Sequence, residues 1–140
     1  MNIAIVGSRR RSDKQLVVDY VNSLDETAKV ISGGCEGVDS WAIEAAMARG
    51  LKWQVFFPDL SDARTYYERC NRYYSRNHKV VLNSDMVVAF VSKDRKGGTE
   101  NTISWAKKEN KPVIIVNEGD VLAEILPPPS VVDDNQNTQG

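Results

Sequence analysis

Three short turns carry the residue types best suited to chemistry in this chain: Gly7-Ser8, Gly33-Gly34 and Gly97-Gly98-Thr99. Each follows an apolar run and precedes a stretch of helical periodicity. Glycine there lets the backbone approach a ligand, and the helix that follows offers unpaired N–H groups and a positive dipole end to an anion. Taken singly, such a turn is an ordinary chain reversal; several converging on one edge describe an anion cradle. The run Arg9-Arg10-Arg11 adjoins the first turn, where it is either a solvated loop or a source of cations for phosphate. Neither of the common phosphate signatures is present. Gly-Ser-Arg-Arg-Arg-Ser lacks the third glycine of the dinucleotide fingerprint, and Gly-Lys-Ser/Thr occurs nowhere.

The carboxylates near these turns have two readings each. Asp39 either caps amides in the first turn of its helix or accepts from a ribose hydroxyl. Glu100 is either a favourable charge at a helix N-terminus or a catalytic carboxylate reaching in from that first turn. Glu36 reads as a solvated loop residue, with acid–base work as the alternative. The sole histidine, His78, reads as structural, and Met47 and Trp105 as core or interface residues. The two cysteines, Cys35 and Cys70, have neither metal-ligand nor disulfide-framework spacing, so no metal site is expected.

The elements that must position these residues follow from periodicity. Apolar runs at Asn2–Val6, Ala28–Ser32, Gln54–Phe57, Met86–Val91 and Val113–Val116 read as strands. A capping box at Ser12-Asp13-Lys14-Gln15 opens a helix carrying Leu16, Val17, Tyr20, Val21 and Leu24 on one stripe. A second helix carries Val38, Trp41, Ala42, Ala45 and Ala46 and stops at Gly50, and a fourth spans Glu100–Glu109. Asp62 to about Asn83 is helical in composition. Strands and helices in alternation predict an α/β, Rossmann-like, doubly wound parallel sheet with helices on both faces. Right-handed crossovers make 3-2-1-4-5 the natural strand order, with the topological switch between strands one and four. The three glycine turns then form one floor at the carboxyl edge, where ligands bind in such sheets.

Composition sets the frame. A chain of 140 residues, 41% hydrophobic and 26% charged, fits a single globular domain. We expect that domain over residues 1–126 and a flexible polar tail over residues 127–140. The net charge of −1 supplies no global attraction to nucleic acid or to a membrane, so any polyanion contact must be local. No apolar run approaches a transmembrane length, no leader is evident and the cysteines are few. These features predict a cytoplasmic protein with no membrane partner.

Four segments carry a family resemblance: GSRRRS, SGGCEGVDSWAIEAA, RN…SDMVVAF and KGGTENTISWAKKENKPVIIV. Together they resemble the SLOG superfamily, which includes the DNA-processing protein A (Smf) family, the Lonely Guy phosphoribohydrolases and small stand-alone proteins of the YspA type. The resemblance covers nearly all of the chain up to Val116 and is closest to the stand-alone branch. Its most specific element is Gly-Gly-x-x-Gly-x-Asp at Gly33–Asp39, followed by the Arg76-Asn77 pair ahead of Asp85. It implies a Rossmann-like fold binding a nucleotide or nucleotide-derived ligand, with no required cofactor. Gly7, Ser8 and Arg9 would line the first loop, and Gly33, Gly34, Gly37 and Asp39 the second. Gly97, Gly98 and Thr99 would hold the phosphate. Arg76 would bind phosphate or stack on a base, and Asn77 would fix the loop.

In the family the Arg-Asn pair opens a separate short helix. The resemblance therefore implies a break near Ser75, with a first helix from about Asp62 and a second from about Asn77 to Leu82. It also implies a route to catalysis. Lonely Guy enzymes hydrolyse the N-glycosidic bond of nucleoside monophosphates with a Gly-Gly-x-Gly-Thr-x-x-Glu loop. Here that glutamate position falls on Thr102, leaving Glu100 or Asp39 as the carboxylate of a phosphoribohydrolase. Three functions stay open: a nucleotide-binding module or sensor, a nucleoside 5'-monophosphate N-glycosidase, and a single-stranded DNA-binding protein. For the last, basic residues interleave with Tyr66 and Tyr73. A homo-oligomer is expected from the aromatic residues left at the surface.

Overall fold

The computed structural model describes residues 1–125, so the polar tail lies outside the described residues. Five strands, β1 (Asn2–Gly7), β2 (Lys29–Ser32), β3 (Lys52–Val55), β4 (Met86–Phe90) and β5 (Val113–Val116), form one sheet in the order β3-β2-β1-β4-β5. Every neighbouring pair is parallel. The helices are α1 (Lys14–Asn22), α2 (Val38–Arg49), α3 (Tyr66–Leu82), α4 (Gly98–Lys108) and the short α5 (Leu122–Ile125). The expected fold class and strand order are those observed.

Side-chain alternation divides the core in two. On one face Ile3 and Ile5 of β1 and Val88 and Phe90 of β4 pack with Val17, Tyr20 and Val21 of α1 and Ala42 and Ala46 of α2. On the other, Ala4, Val6, Val87 and Ala89 pack with Val80 and Val81 of α3 and Ile103 and Ala106 of α4. Each large aliphatic side chain buried this way contributes about 1.5–3 kcal/mol. The central strands β1 and β4 are therefore apolar on both faces, as a covered parallel sheet requires. Gly7 ends β1 beneath α2, and a Cβ there would stand 2.6–2.8 Å from the Val38 side chain. The absence of a side chain at position 7 is what seats α2 on the sheet.

Three local expectations are corrected. The third strand is Lys52–Val55 rather than Gln54–Phe57, because pairing with Lys29–Ser32 sets its register and leaves Phe57 outside the ladder. The Ser12 capping box does not form: Asp13 is the N-cap, no side chain caps the helix, and the Gln15 amide donates to Asp19. Arg11 takes the Asp13 carboxylate instead. Met47, read as a core or interface residue, is half exposed and so lies outside the core.

The third correction concerns α3, which is continuous from Tyr66 to Leu82 with no break near Ser75. It starts four residues later than expected because Thr65 and Glu68 form a complete capping box there. The preceding loop folds back on the helix, with Arg72 bonded to the Asp59 carbonyl and to Asp62. Arg76 thus lies about 15 Å into the helix at a rise of about 1.5 Å per residue. The first turns of α3 overhang the carboxyl edge of the sheet, and the helix reaches the sheet face only at Val80 and Val81. An unbroken helix therefore still delivers Arg76 to the ligand edge.

Candidate functional site

A cleft of about 520 Å³ opens at the carboxyl edge of β1, β2 and β4, under the overhang of α3. The first loop contributes Gly7, Ser8, Arg9 and Arg10; the second contributes Gly33, Cys35 and Asp39. The loop after β4 brings Lys96, Gly97, Gly98 and Thr99, with Thr102 from the next turn. Tyr66, Cys70, Tyr73, Tyr74, Arg76 and Asn77 of α3 form the opposite wall. The expected residues Gly34, Gly37 and Glu100 stand outside this lining.

The two loop helices start without side-chain caps. α2 begins after Gly37 and α4 after Gly97, and in neither case does a side chain satisfy the first amides. α3 by contrast carries a full box at Thr65 and Glu68. An N-cap side chain contributes about 1 kcal/mol, so an uncapped start beside a cleft leaves donors available to an external anion.

Asp39 is 4% exposed and binds neither its own helix's amides nor open solvent. Its carboxylate accepts from the Gly7 amide at 3.3 Å and the Cys35 amide at 3.4 Å, tying the first loop to the second. Burial raises its pKa to about 6 against the opposing pull of the Cys35 amide, the Arg76 guanidinium and the Gly7 amide. Helix capping, the first of its two sequence readings, is thus replaced by a bridge between loops.

Arg76 is buried at the same junction. It donates to the Gly33 carbonyl, to Asn77 Oδ1 at 2.9 Å and to Cys35 Sγ at 3.5 Å, with its guanidinium 5.7 Å from the Tyr73 ring centroid. Asn77 in turn donates to Asn101 at 3.1 Å and to the Gly98 carbonyl at 3.5 Å, so it holds the start of α4. Arg76 and Asn77 together link α3 to both glycine loops.

The three consecutive arginines have three different fates. Arg11 is buried and donates to the carbonyls of Val91 and Val116, both at 2.8 Å, and to Asp13. It fastens the ends of β4 and β5 to the first loop and stands 5.5 Å from the centroid of the Phe90 ring. Arg10 pairs with Asp94 through both terminal nitrogens. Arg9 is exposed at the cleft, and among the described residues no carboxylate pairs with it. Lys96 lines the same cleft, likewise without a carboxylate partner among the described residues.

Glu100 is held by Arg95 through two hydrogen bonds of 2.8 and 2.9 Å, outside the cleft lining. The glutamate position of the glycosidase loop does face the cleft, but it is Thr102, whose hydroxyl donates to the Gly98 carbonyl at 3.4 Å. His78 and Trp105 lie elsewhere, joining α3 to α4 through a stack with ring centroids 3.8 Å apart and a 2.8 Å contact from His78 to Glu109. Among the described residues no group of His, Cys, Asp and Glu side chains could hold a metal, and no helix is long and apolar enough to cross a membrane.

Sequence reasoning missed Lys96, Cys35 and Tyr74 as lining, took Tyr66 and Tyr73 only toward single strands, and reached Thr102 only as the position of the family's glutamate. Thr102 was findable, since it lies one helical turn from Thr99 on the same face.

Comparison with solved structures supports the fold. DNA processing protein A from Streptococcus pneumoniae superposes with a TM-score of 0.68 at 18% identity, over 99% of this chain and 56% of that one. This chain thus spans little more than half the length of that protein. A second similar structure is the saccharopine dehydrogenase of Saccharomyces cerevisiae, with a TM-score of 0.47 at 19% identity over 89% of this chain and 23% of that one. No curated protein matches the sequence. Residues 30–125, which span the second glycine loop, the α3 wall and the start of α4, match the family described as circularly permutated YpsA SLOG, and this chain belongs to that family.

Proposed function

We propose that this chain binds a nucleotide or nucleotide-derived small molecule in the cleft and does not hydrolyse it. The observation that carries this reading is the uncapped start of α4, which meets Arg9 and Lys96 in one cleft beside an aromatic wall. In this reading the phosphate sits at Gly97, Gly98 and Thr99, and the base stacks on Tyr73 or Tyr74. A role as binder rather than glycosidase is supported by the threonine at position 102 and by the Glu100 carboxylate being engaged by Arg95.

The test is a nucleotide panel read by thermal shift, with mass spectrometry for liberated base. A ligand at a hundred times its Kd stabilises the native state by about 2.7 kcal/mol, a shift of several degrees. We expect such a shift without free base, and its loss in Lys96→Glu. A panel of mono-, di- and cyclic nucleotides that leaves the melting curve unmoved refutes the reading.

A second reading rests on the exposed start of α3 and the loop before it, at the rim of the cleft. Tyr66 is 85% and Tyr67 73% exposed, and the exposed Arg64 and Arg69 interleave with them. Aromatic and basic residues in this arrangement suit single-stranded nucleic acid. That activity would show a steep salt dependence and would fall in Tyr67→Ala without any loss of the nucleotide shift.

A further inference from the structure

The most exposed ion pair at the mouth of the cleft joins two loops that are distant in sequence. Arg10 follows β1 and Asp94 follows β4, and the guanidinium grips the carboxylate in a fork of 2.8 and 2.9 Å. Asp94 is itself fixed by the Ser92 hydroxyl at 2.8 Å and the Lys96 amide at 3.2 Å. Lys93, its neighbour, donates its amide to Glu118, which adds a second negative charge in the field of Arg10. Arg10 lines the cleft and its side chain is 62% exposed, whereas Asp94 is not part of the lining.

A planar guanidinium fork fits a carboxylate and a phosphate with the same two parallel hydrogen bonds. The Asp94 carboxylate thus occupies Arg10 in the manner a phosphate would. Exposed pairs of this kind are weak and exchange readily, and a phosphate brings more charge than a carboxylate. Arginine also retains its charge under all working conditions, so the exchange needs no proton transfer.

We propose that Arg10 is a phosphate-binding residue held in reserve by Asp94, which acts as a built-in competitor setting the affinity of the cleft for anions. The proposal rests on the anion-binding reading above. On ligand entry the fork leaves Asp94 and turns to the phosphate, and Asp94 remains on Ser92 and the Lys96 amide. The Asp94 carboxyl is held down at about 2, first by the hydrogen bond from Arg10, so the competitor is ionised at every physiological pH.

The test is isothermal titration of inorganic phosphate, AMP and ADP into the wild-type chain, Asp94→Asn, Arg10→Gln and the double variant. Asp94→Asn keeps an oxygen acceptor for Ser92 and the Lys96 amide while releasing Arg10. It should tighten binding by roughly two- to fivefold, the span an exposed ion pair commands. Arg10→Gln should weaken binding, and in that background Asp94→Asn should have no effect. Affinity in Asp94→Asn that equals or falls below that of a wild type that does bind, or equal tightening with and without Arg10, overturns the competitor while leaving the nucleotide reading intact. Unchanged affinity in Arg10→Gln overturns it independently of how Asp94→Asn folds. If no probe binds to any of the four chains, the anion reading fails and takes this inference with it.

Discussion

Replacing Asp39 by asparagine should remove a pH dependence that this one side chain imposes on folding. The carboxyl goes from an ordinary value of 3.8 to about 6 in the folded protein, chiefly through burial. A shift of that size corresponds to about 3 kcal/mol of differential stability between the two protonation states. The sign follows from proton uptake. Between the two values the folded chain holds a proton that the unfolded chain has released, so stability falls as pH rises. The contribution of the protonated carboxyl is complete below about pH 4 and is lost as pH passes 6. Asparagine cannot titrate. Urea unfolding of both chains at closely spaced pH values from 4 to 8 isolates the effect, since the remaining carboxylates cancel in the difference. The stability of the wild type relative to Asp39→Asn should decline by about 2.5 kcal/mol across that window. A difference that stays flat with pH would sink the assignment of a buried, desolvated carboxylate at the junction of the two loops.

Three further outcomes follow from the same geometry. Arg11→Met strands the Val91 and Val116 carbonyls that the guanidinium now bonds. It should cost about 2 kcal/mol or more by urea unfolding, and a loss under about 1 kcal/mol would contradict the staple. Gly7→Ala forces a methyl group to within 2.6–2.8 Å of Val38 and should destabilise the chain. We expect a loss of about 1–3 kcal/mol, partly restored by adding Val38→Ala in a double-mutant cycle; strict additivity would argue against the contact. Glu100→Gln should leave nucleotide affinity and the absence of base release unchanged, because that carboxylate is spent on Arg95 outside the cleft. A clear change in either, read by titration and mass spectrometry, would restore Glu100 as a site residue.

Much of the scaffold was legible in the amino-acid order. The apolar run at β1 is short, β-branched and ended by glycine, and the same holds for β2, so their periodicity and punctuation are local properties. Alternation of strand and helix then restricts the topology, because parallel crossovers take one hand. Glycine turns following β1, β2 and β4 must consequently meet at one edge, and they do. Local reasoning failed where a side chain had two partners to choose from. Ser12-x-x-Gln15 is a sound capping box by spacing, but the Arg11–Asp13 pair that replaces it is anchored by strand ends far along the chain. The start of α3 shows the reverse case, for Thr65 and Glu68 are a local capping signal that fixes the helix start where helical composition alone does not.

The sequence by itself determined the parallel sheet, its order and the gathering of glycine turns, since these depend on periodicity and chain handedness. The tertiary structure alone decided what each polar side chain does. Arg9, Arg10 and Arg11 are adjacent and chemically identical, yet one is exposed at the cleft, one pairs across its mouth and one is sealed inside. The partners that separate them lie 84 residues away for Arg10 and 80 and 105 residues away for Arg11. Burial and hydrogen bonding are properties of contacts made across such distances, so no local pattern encodes them. The same holds for Asp39: its place on the second loop was readable, but its bond to the Gly7 amide exists only once β1 and β2 lie side by side.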